Sequence, residues 1–263
     1  MLSTMRRSDL PLKKLLTLLF WLAVWQLAAF AVDRSVSGRG NELLLPYPVS
    51  VLGALLRLVR SGPFWSAAGQ TLGRILLGLA MGTAAGALLA VLTCTSRLCD
   101  ALLAPAVRVV RATPITSFIL LILLWTGKDR VPAVIAALMV IPVVWENLTQ
   151  GIRSTDPQLL EMAKAYRFSP LKRAALIYWP SARPYFAAAL TTSMGLAWKS
   201  GVAAEVISLP VLAIGSEIYR AKLYLEIPDL FAWTLVVVAM SLLLEALLKQ
   251  LTGRKKGGSH DPV

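Results

Sequence analysis

The apolar runs of this chain are too long, and too nearly free of charge, to be packed inside a soluble domain. Ile75–Ser96 carries no ionisable carboxylate or base, and Val131–Gln150 carries only Glu146. Each is about 20 residues, the length of helix that crosses a hydrocarbon core. Similar runs occupy Leu15–Val32, Ala104–Thr126, Tyr185–Ser208 and Leu230–Leu248. Lipid offers the backbone no hydrogen-bonding partner, so runs of this kind span as helices that satisfy themselves internally. The expected fold class is therefore all-α: a polytopic membrane protein with six transmembrane helices. Composition agrees, with 57% hydrophobic and 16% charged residues among 263; a soluble domain carries nearer a quarter charged. The net charge of +13 lies between the spans, with no aromatic–basic recognition motif. It points to membrane lipid and topology, and no nucleic-acid partner is expected.

Along the chain, a basic start with Arg6, Arg7, Lys13 and Lys14 precedes the first apolar run. A signal peptide begins the same way. This run is long for one and lacks a good small-residue cleavage signal, so a retained first helix is expected. Asp33–Gly69 reads as a polar connector. Within it, Leu45-Pro46-Tyr47-Pro48 is expected to be extended, because residues before proline avoid the helical region. Val51–Val59 is expected to form a short amphipathic helix at the outer interface. Gly78, Gly82 and Gly86 form a small-x-x-x-small ladder, predicted to pack closely against another helix of this chain or of a second copy. Lys128-Asp129-Arg130 reads as a tight outer turn, Pro142 as a bend in the fourth span, and Leu209–Pro228 as an outer connector. Cys94 and Cys99 flank a basic turn assigned to the cytoplasm, where a disulfide is not expected. One histidine, His260, argues against a histidine-based metal site, and no metal is expected.

Between the fourth and fifth spans lies a polar, basic island from Ser154 to Pro180. Two short helices fit it. Asp156 is a natural N-cap with Pro157 at the first helical position. Ser169-Pro170 repeats the signal, and Pro180 is expected to close the second helix. Leu159, Met162, Ala163 and Tyr166 share one face, with Gln158, Glu161 and Lys164 on another. On periodicity alone the island fits a solvated loop as well as a surface for a partner protein.

Glu161-x-Ala163 and Ile177-x-x-Pro180 resemble the EAA loop of bacterial binding-protein-dependent ABC importer permeases. That family's pattern is Glu-Ala-Ala, three residues, Gly, nine residues, Ile-x-Leu-Pro. The spacing matches throughout; Met162, Arg167 and Trp179 depart from it. Leu45-Pro46-Tyr47-Pro48, Thr71-Leu72-Gly73-Arg74, Gly195-Leu196-Ala197-Trp198 and Ala204-Glu205 are similar to the subgroup serving nitrate, sulfonate and taurine import. The resemblance runs from about Leu45 to Leu251. It implies the type I importer permease fold, with one transmembrane domain over 15–251, a coupling loop over 153–183, and cytoplasmic segments 1–14 and 252–263. It also implies a bacterial inner membrane location, a second permease copy, two ATP-binding subunits and a periplasmic or lipid-anchored solute-binding protein. The coupling residues it implies are Glu161, Met162, Ala163, Tyr166, Arg167, Ile177 and Pro180.

No nucleotide-binding loop, metal cluster or nucleophile–base pair occurs in the sequence, so no catalytic residues are expected. No cofactor is expected in this chain; ATP and Mg would bind the partner ATPase. Within the fifth span, Lys199 and Glu205 lie six positions apart, about 240° around a helix. Charges there face a cavity or a partner, so both are pathway candidates, with Trp198 and Ser200 and, more weakly, Thr191, Thr192 and Ser193. The alternative for Lys199 is a structural role, snorkelling or pairing with Glu146. Arg108 and Arg111 are candidates for the inner mouth of the pathway, with lipid-phosphate contact and topology as the preferred reading. The expected function is the permease subunit of an ATP-driven importer for a small organic or anionic solute (a sulfonate, taurine, nitrate or a heterocyclic precursor). The alternatives are an ATP-independent channel or secondary transporter, which the basic island opposes, and a membrane-embedded enzyme, which the lack of a catalytic constellation opposes.

Lysine and arginine concentrate in the segments that face the cytoplasm if both termini lie inside. In a cysteine-free background, single cysteines at Lys172 and in the tail after Lys249 are expected to resist an impermeant thiol reagent applied to intact cells. Labelling of the loop from outside would overturn the orientation.

Overall fold

The computed structural model describes residues 9–35 and 43–253. The readings placed on Arg6, Arg7, Arg39, Arg254, Lys255, Lys256 and His260 lie outside the described residues. Regular structure among the described residues is helical throughout, and the chain groups into two compact units.

The first unit takes in residues up to 65 and 217–236. Its helices are α1 (Asp9–Ser35), α2 (Pro48–Val59), the start of α3 (Gly62–Thr95), and parts of α10 (Ile214–Leu223) and α11 (Ile227–Gly253). Tyr47 is extended, as its place before Pro48 requires, and Pro48 opens α2. Val51 and Ala54 of α2 pack with Ala232. Trp25 stacks on Phe231 and donates its indole N–H to the Pro46 carbonyl at 3.1 Å. Arg57 pairs with Asp229 at 2.8 Å.

The second unit, residues 66–216 and 237–263, centres on α6 (Val131–Arg153). The glycine ladder of α3 lies against it. A Cβ at Gly82 would stand 2.6 Å from the Ala137 carbonyl oxygen and 2.7 Å from Val140 Cβ, and one at Gly86 would stand 2.8 Å from the Ile141 oxygen. Gly78 makes the same approach to Ala133. Of the two partners open to the ladder, the structure shows another helix of the same chain. Further along α6, α9 (Trp179–Ser208) approaches it at Gly151, where a Cβ would lie 3.0 Å from Ala182 Cα and Tyr185 Cβ. Gly201 of α9 makes room for Ile75 of α3 in the same way.

Three sequence expectations need correction. The third span is not one rod. It is α4 (Arg97–Ala112) and α5 (Ile115–Trp125), bent by 106°. Pro114 supplies no N–H and drives Thr113 to an extended ψ of 134°, so the helix cannot continue. Pro180 does not end the second loop helix. From α8 (Pro170–Arg173) the chain passes through a π-helical turn, Ala174–Tyr178, straight into α9. Trp179 N–H reaches back five residues to the Ala174 carbonyl, and Pro180 sits in the first turn of α9, where a missing donor is harmless. The connectors are also shorter than expected. Gly62 to Gly69 already belong to α3, and α10 forms within Leu209–Pro228 with Ile214 and Ala221 buried.

By length and composition, Leu16–Ser35, α3, α6 and Ile227–Leu248 can each cross a membrane, as can the bent α4–α5 pair taken together. The expected fifth span lies in α9, which has 30 residues, about 45 Å of helix. Its hydropathy is lowered by Arg183, Lys199 and Glu205.

Lipid is as apolar as leucine, so helices in a bilayer associate through close packing rather than through exclusion of water. Gly82→Leu would drive a side chain into the backbone of α6. It is expected to lower stability by about 1–3 kcal/mol or more, read as a fall in the thermal midpoint of detergent-solubilised protein. Gly53→Ala, at a position open to solvent or lipid, should melt within about 0.5 kcal/mol of the parent. Equal melting of the Gly82 variant and the parent would refute the tight contact.

Candidate functional site

The C-terminal end of α9 is built around Glu205, which is completely buried. Its Oε2 accepts the Thr71 hydroxyl at 2.9 Å and the Gly215 N–H at 3.1 Å. Its Oε1 lies 3.6 Å from Arg74 Nη1 and takes no hydrogen bond. A carboxylate so buried costs several kcal/mol unless a cation and donors surround it, and Thr71 and Arg74 of α3 supply them. Thr71 Oγ1 in turn accepts the Ile214 N–H at 3.0 Å. Gly215 has no side chain because a Cβ there would collide with Glu205 Cβ and stand 2.7 Å from Val206 N.

The same arginine holds the loop that follows α9. Arg74 donates to the carbonyls of Val211 at 2.8 Å and Leu212 at 3.2 Å, and approaches Asp129 at 3.3 Å. Asp129, from the turn closed by Arg130 N–H on the Gly127 carbonyl, accepts the Val211 N–H at 2.9 Å. Leu209 and Leu212 adopt left-handed φ values of 50° and 51°. A branched residue pays roughly 1 kcal/mol for that conformation, and the arginine–aspartate clamp holds it in place.

Of the four residues expected along a pathway, three are interior. Glu205 is the anchor just described. Trp198 is buried, with its indole N–H on the Val237 carbonyl at 3.0 Å. Ser200 is buried and bonds the Ala197 carbonyl of its own helix. Thr191 likewise bonds back to Ala187, and Ser193 is buried. Helical periodicity explains the difference: Lys199 alone of the four points away from α6 and α3. It is exposed, on a face shared with Ala188, Thr192, Ala203 and Ile207. It does not pair with Glu146, which is taken by Arg111.

The loop helices present a second surface. Asp156 caps α7 (Pro157–Ala165) through the Gln158 N–H at 2.8 Å, and Ser169 caps α8 through the Lys172 N–H at 3.3 Å. At the end of α7, Phe168 N–H reaches the Ala163 carbonyl and Arg167 N–H the Lys164 carbonyl, with Arg167 left-handed at φ 49°. That is the turn a glycine would close without strain. Tyr166 is 74% exposed and Leu171 84%, and Leu159, Met162, Glu161 and Arg167 are exposed beside them. Two expected coupling residues are not on this surface: Ala163 and Ile177 are buried within the chain. Pro180 is exposed in the first turn of α9.

Sequence reasoning gave Thr71, Arg74 and Asp129 no role. The first two lie in Thr71-Leu72-Gly73-Arg74, which carried part of the family resemblance, so a signal was present. Asp129 had none beyond its turn. Glu205→Ala would leave Arg74 and the Gly215 N–H without their buried partner. It is expected to destabilise by about 3–5 kcal/mol and to open the Leu209–Ala213 loop to limited proteolysis. Glu205→Gln, which keeps an acceptor for Thr71 and Gly215, should lose less. A Glu205→Ala protein that melts and resists protease like the parent would remove Glu205 as the anchor.

Comparison with known proteins accords with this geometry. Residues 49–256 match the family described as binding-protein-dependent transport system inner membrane component. A putative aliphatic sulfonates transport permease protein of Escherichia coli, SsuC, is 30% identical over 88% of this chain and 82% of its own length. Its Bacillus subtilis namesake is 25% identical over 88% and 81%. The bicarbonate transport system permease protein CmpB of Synechocystis is 28% identical over 91% and 86%. Among solved structures, an amino acid ABC transporter crystallised with histidines superposes with a TM-score of 0.56 over 79% of this chain and 92% of that one. At 16% identity, that likeness speaks for the fold. The chain thus belongs to the binding-protein-dependent transport system inner membrane components, and it has the helical permease fold of that family.

Proposed function

We propose that this chain forms the solute pathway of an ATP-driven importer, as one of two permease copies, and that its solute is a small oxyanion. The observation that carries the coupling half is the exposed apolar cluster on α7 and α8. Leu159, Met162, Tyr166 and Leu171 stand out on two capped, polar helices, where nothing among the described residues covers them. Contiguous exposed apolar residues with a polar rim are what a protein partner buries. Glu161, Lys164 and Arg167 supply that rim, and an ATP-binding subunit, with its ATP and Mg, is the partner that the family membership suggests.

The solute half rests on Lys199. An ammonium on an exposed face of a spanning helix is costly against lipid and is retained where it faces water or an anion. The relatives named above are described as permeases for aliphatic sulfonates and for bicarbonate. Both solutes are oxyanions, which an ammonium would attract. A periplasmic or lipid-anchored binding protein would deliver them, with both permease termini in the cytoplasm.

Coupling and folding separate in two variants. Glu161 is exposed, so Glu161→Ala should shift stability by less than about 0.5 kcal/mol while lowering ATP-driven uptake and co-purification of the ATPase. Arg167→Gly relieves the left-handed strain. It should be at least as stable as the parent, yet bind the ATPase less tightly for want of its guanidinium. Uptake and partner binding at parental levels in both variants would rule out this surface as the coupling site.

A further inference from the structure

A second charged feature is unused by this reading. Between α4 and α6 lies a cavity of about 530 Å³, within the range of small-molecule sites. Three guanidiniums line it, those of Arg108, Arg111 and Arg153, against two carboxylates, Asp100 and Glu146. Arg111 is paired with Glu146, and Arg153 with Asp100 at 3.2 Å. Arg108 is left as the uncompensated charge. Both pairs are largely open to solvent, so they are weak and either arginine can turn part of its fork to a ligand.

The cavity is also amphiphilic. Val107 and Pro142 line it with the ring of Trp145, whose indole N–H is already committed to Thr93 at 3.1 Å. The wall therefore offers guanidinium forks to an anionic head, and an apolar patch to a short body attached to it.

We propose that this cavity is a binding site for an organic oxyanion, held by Arg108 with help from Arg111 and Arg153. Guanidinium forks match the oxygens of sulfonate, carboxylate and phosphate alike, so both a soluble anion and an anionic lipid headgroup share the required chemistry. The site lies apart from Lys199, and it rests on the oxyanion-importer reading only for the choice of probe.

The test uses the purified full-length chain in phosphatidylcholine nanodiscs and 1-propanesulfonate as probe, with binding measured by calorimetry. Saturable binding is expected. Arg108→Gln, at an exposed position that carries no structural contact, should weaken it by about tenfold or more, the loss of one charge-assisted hydrogen bond. The thermal melt of this variant should match the parent. Discs containing phosphatidylglycerol separate the sources. If that lipid suppresses sulfonate binding, and its own retention in native mass spectra falls in Arg108→Gln, the site stands with a lipid headgroup as occupant. If the lipid has no effect, the occupant is a soluble anion. Sulfonate binding by a chain that supports no ATP-driven uptake would uphold this site and count against the transport reading. Equal sulfonate binding and equal lipid retention in the parent and Arg108→Gln, or binding of neither ligand by the parent, would overturn the proposal.

Discussion

The second unit depends on how closely α3 and α9 come to α6. In a bilayer, an apolar side chain gains nothing by leaving lipid for another apolar side chain, so helices are held by dispersion over closely matched surfaces. Gly78, Gly82 and Gly86 bring α3 against carbonyls of α6, and Gly151, further along α6, lets α9 approach its backbone. With its backbone engaged by two helices, α6 has little freedom to adjust. Its buried face, including Ile135, Val140 and Val144, is then a fixed reference on which the other helices are set.

That packing makes the buried carboxylate of Glu205 tolerable. Thr71 and Arg74 sit two turns and one turn, respectively, before the glycine ladder on α3, so the ladder also fixes their positions relative to α9. Gly201 of α9, four residues before Glu205, admits Ile75, the neighbour of Arg74 in sequence. The apolar contact and the polar one are thus adjacent parts of a single α3–α9 seam. Arg74 then carries the order outward, to the Val211 and Leu212 carbonyls and to Asp129. Two left-handed leucines persist in that loop because the arginine and aspartate leave it no other arrangement.

Much of this was legible in the sequence, for definite reasons. Apolar length marks a span, and the small-residue ladder marks close approach. An Asp-Pro and a Ser-Pro pair mark two capped helices. The spacing of the loop motif marks the family, and even the strain at Arg167 followed from an arginine standing where a glycine closes the turn. What was not legible lies where tertiary context overrides a local signal. Thr113-Pro114 sits inside an apolar run, and hydropathy is blind to a 106° bend. Pro180 resembles a stop, yet a π turn upstream lets it serve as a start. Glu205 and Lys199 looked alike as intramembrane charges. Only the partners on α3 separate them, making the first an internal anchor and leaving the second on an open face.

The continuity of α8, the π turn and α9 gives these separate features a mechanical relation. One unbroken helical path leads from Pro170, beside the exposed Leu171, past Lys199 to Glu205 at its far end. A helix bends little over such a length unless a proline or an irregular turn intervenes. The π turn at Ala174–Tyr178 is the irregularity nearest the loop, and Ile177 within it is buried. On the proposed reading, a push by an ATPase on α7 and α8 therefore reaches Lys199 with loss confined to that turn and to Pro184 inside α9. It is resisted at the far end by the Glu205–Thr71–Arg74 anchor. An element fixed at one end and driven at the other tilts rather than slides. Displacement in such a tilt grows with distance from the anchor, so Lys199, about 9 Å of helix from Glu205 on the driven side, swings through a small arc while the loop end moves far.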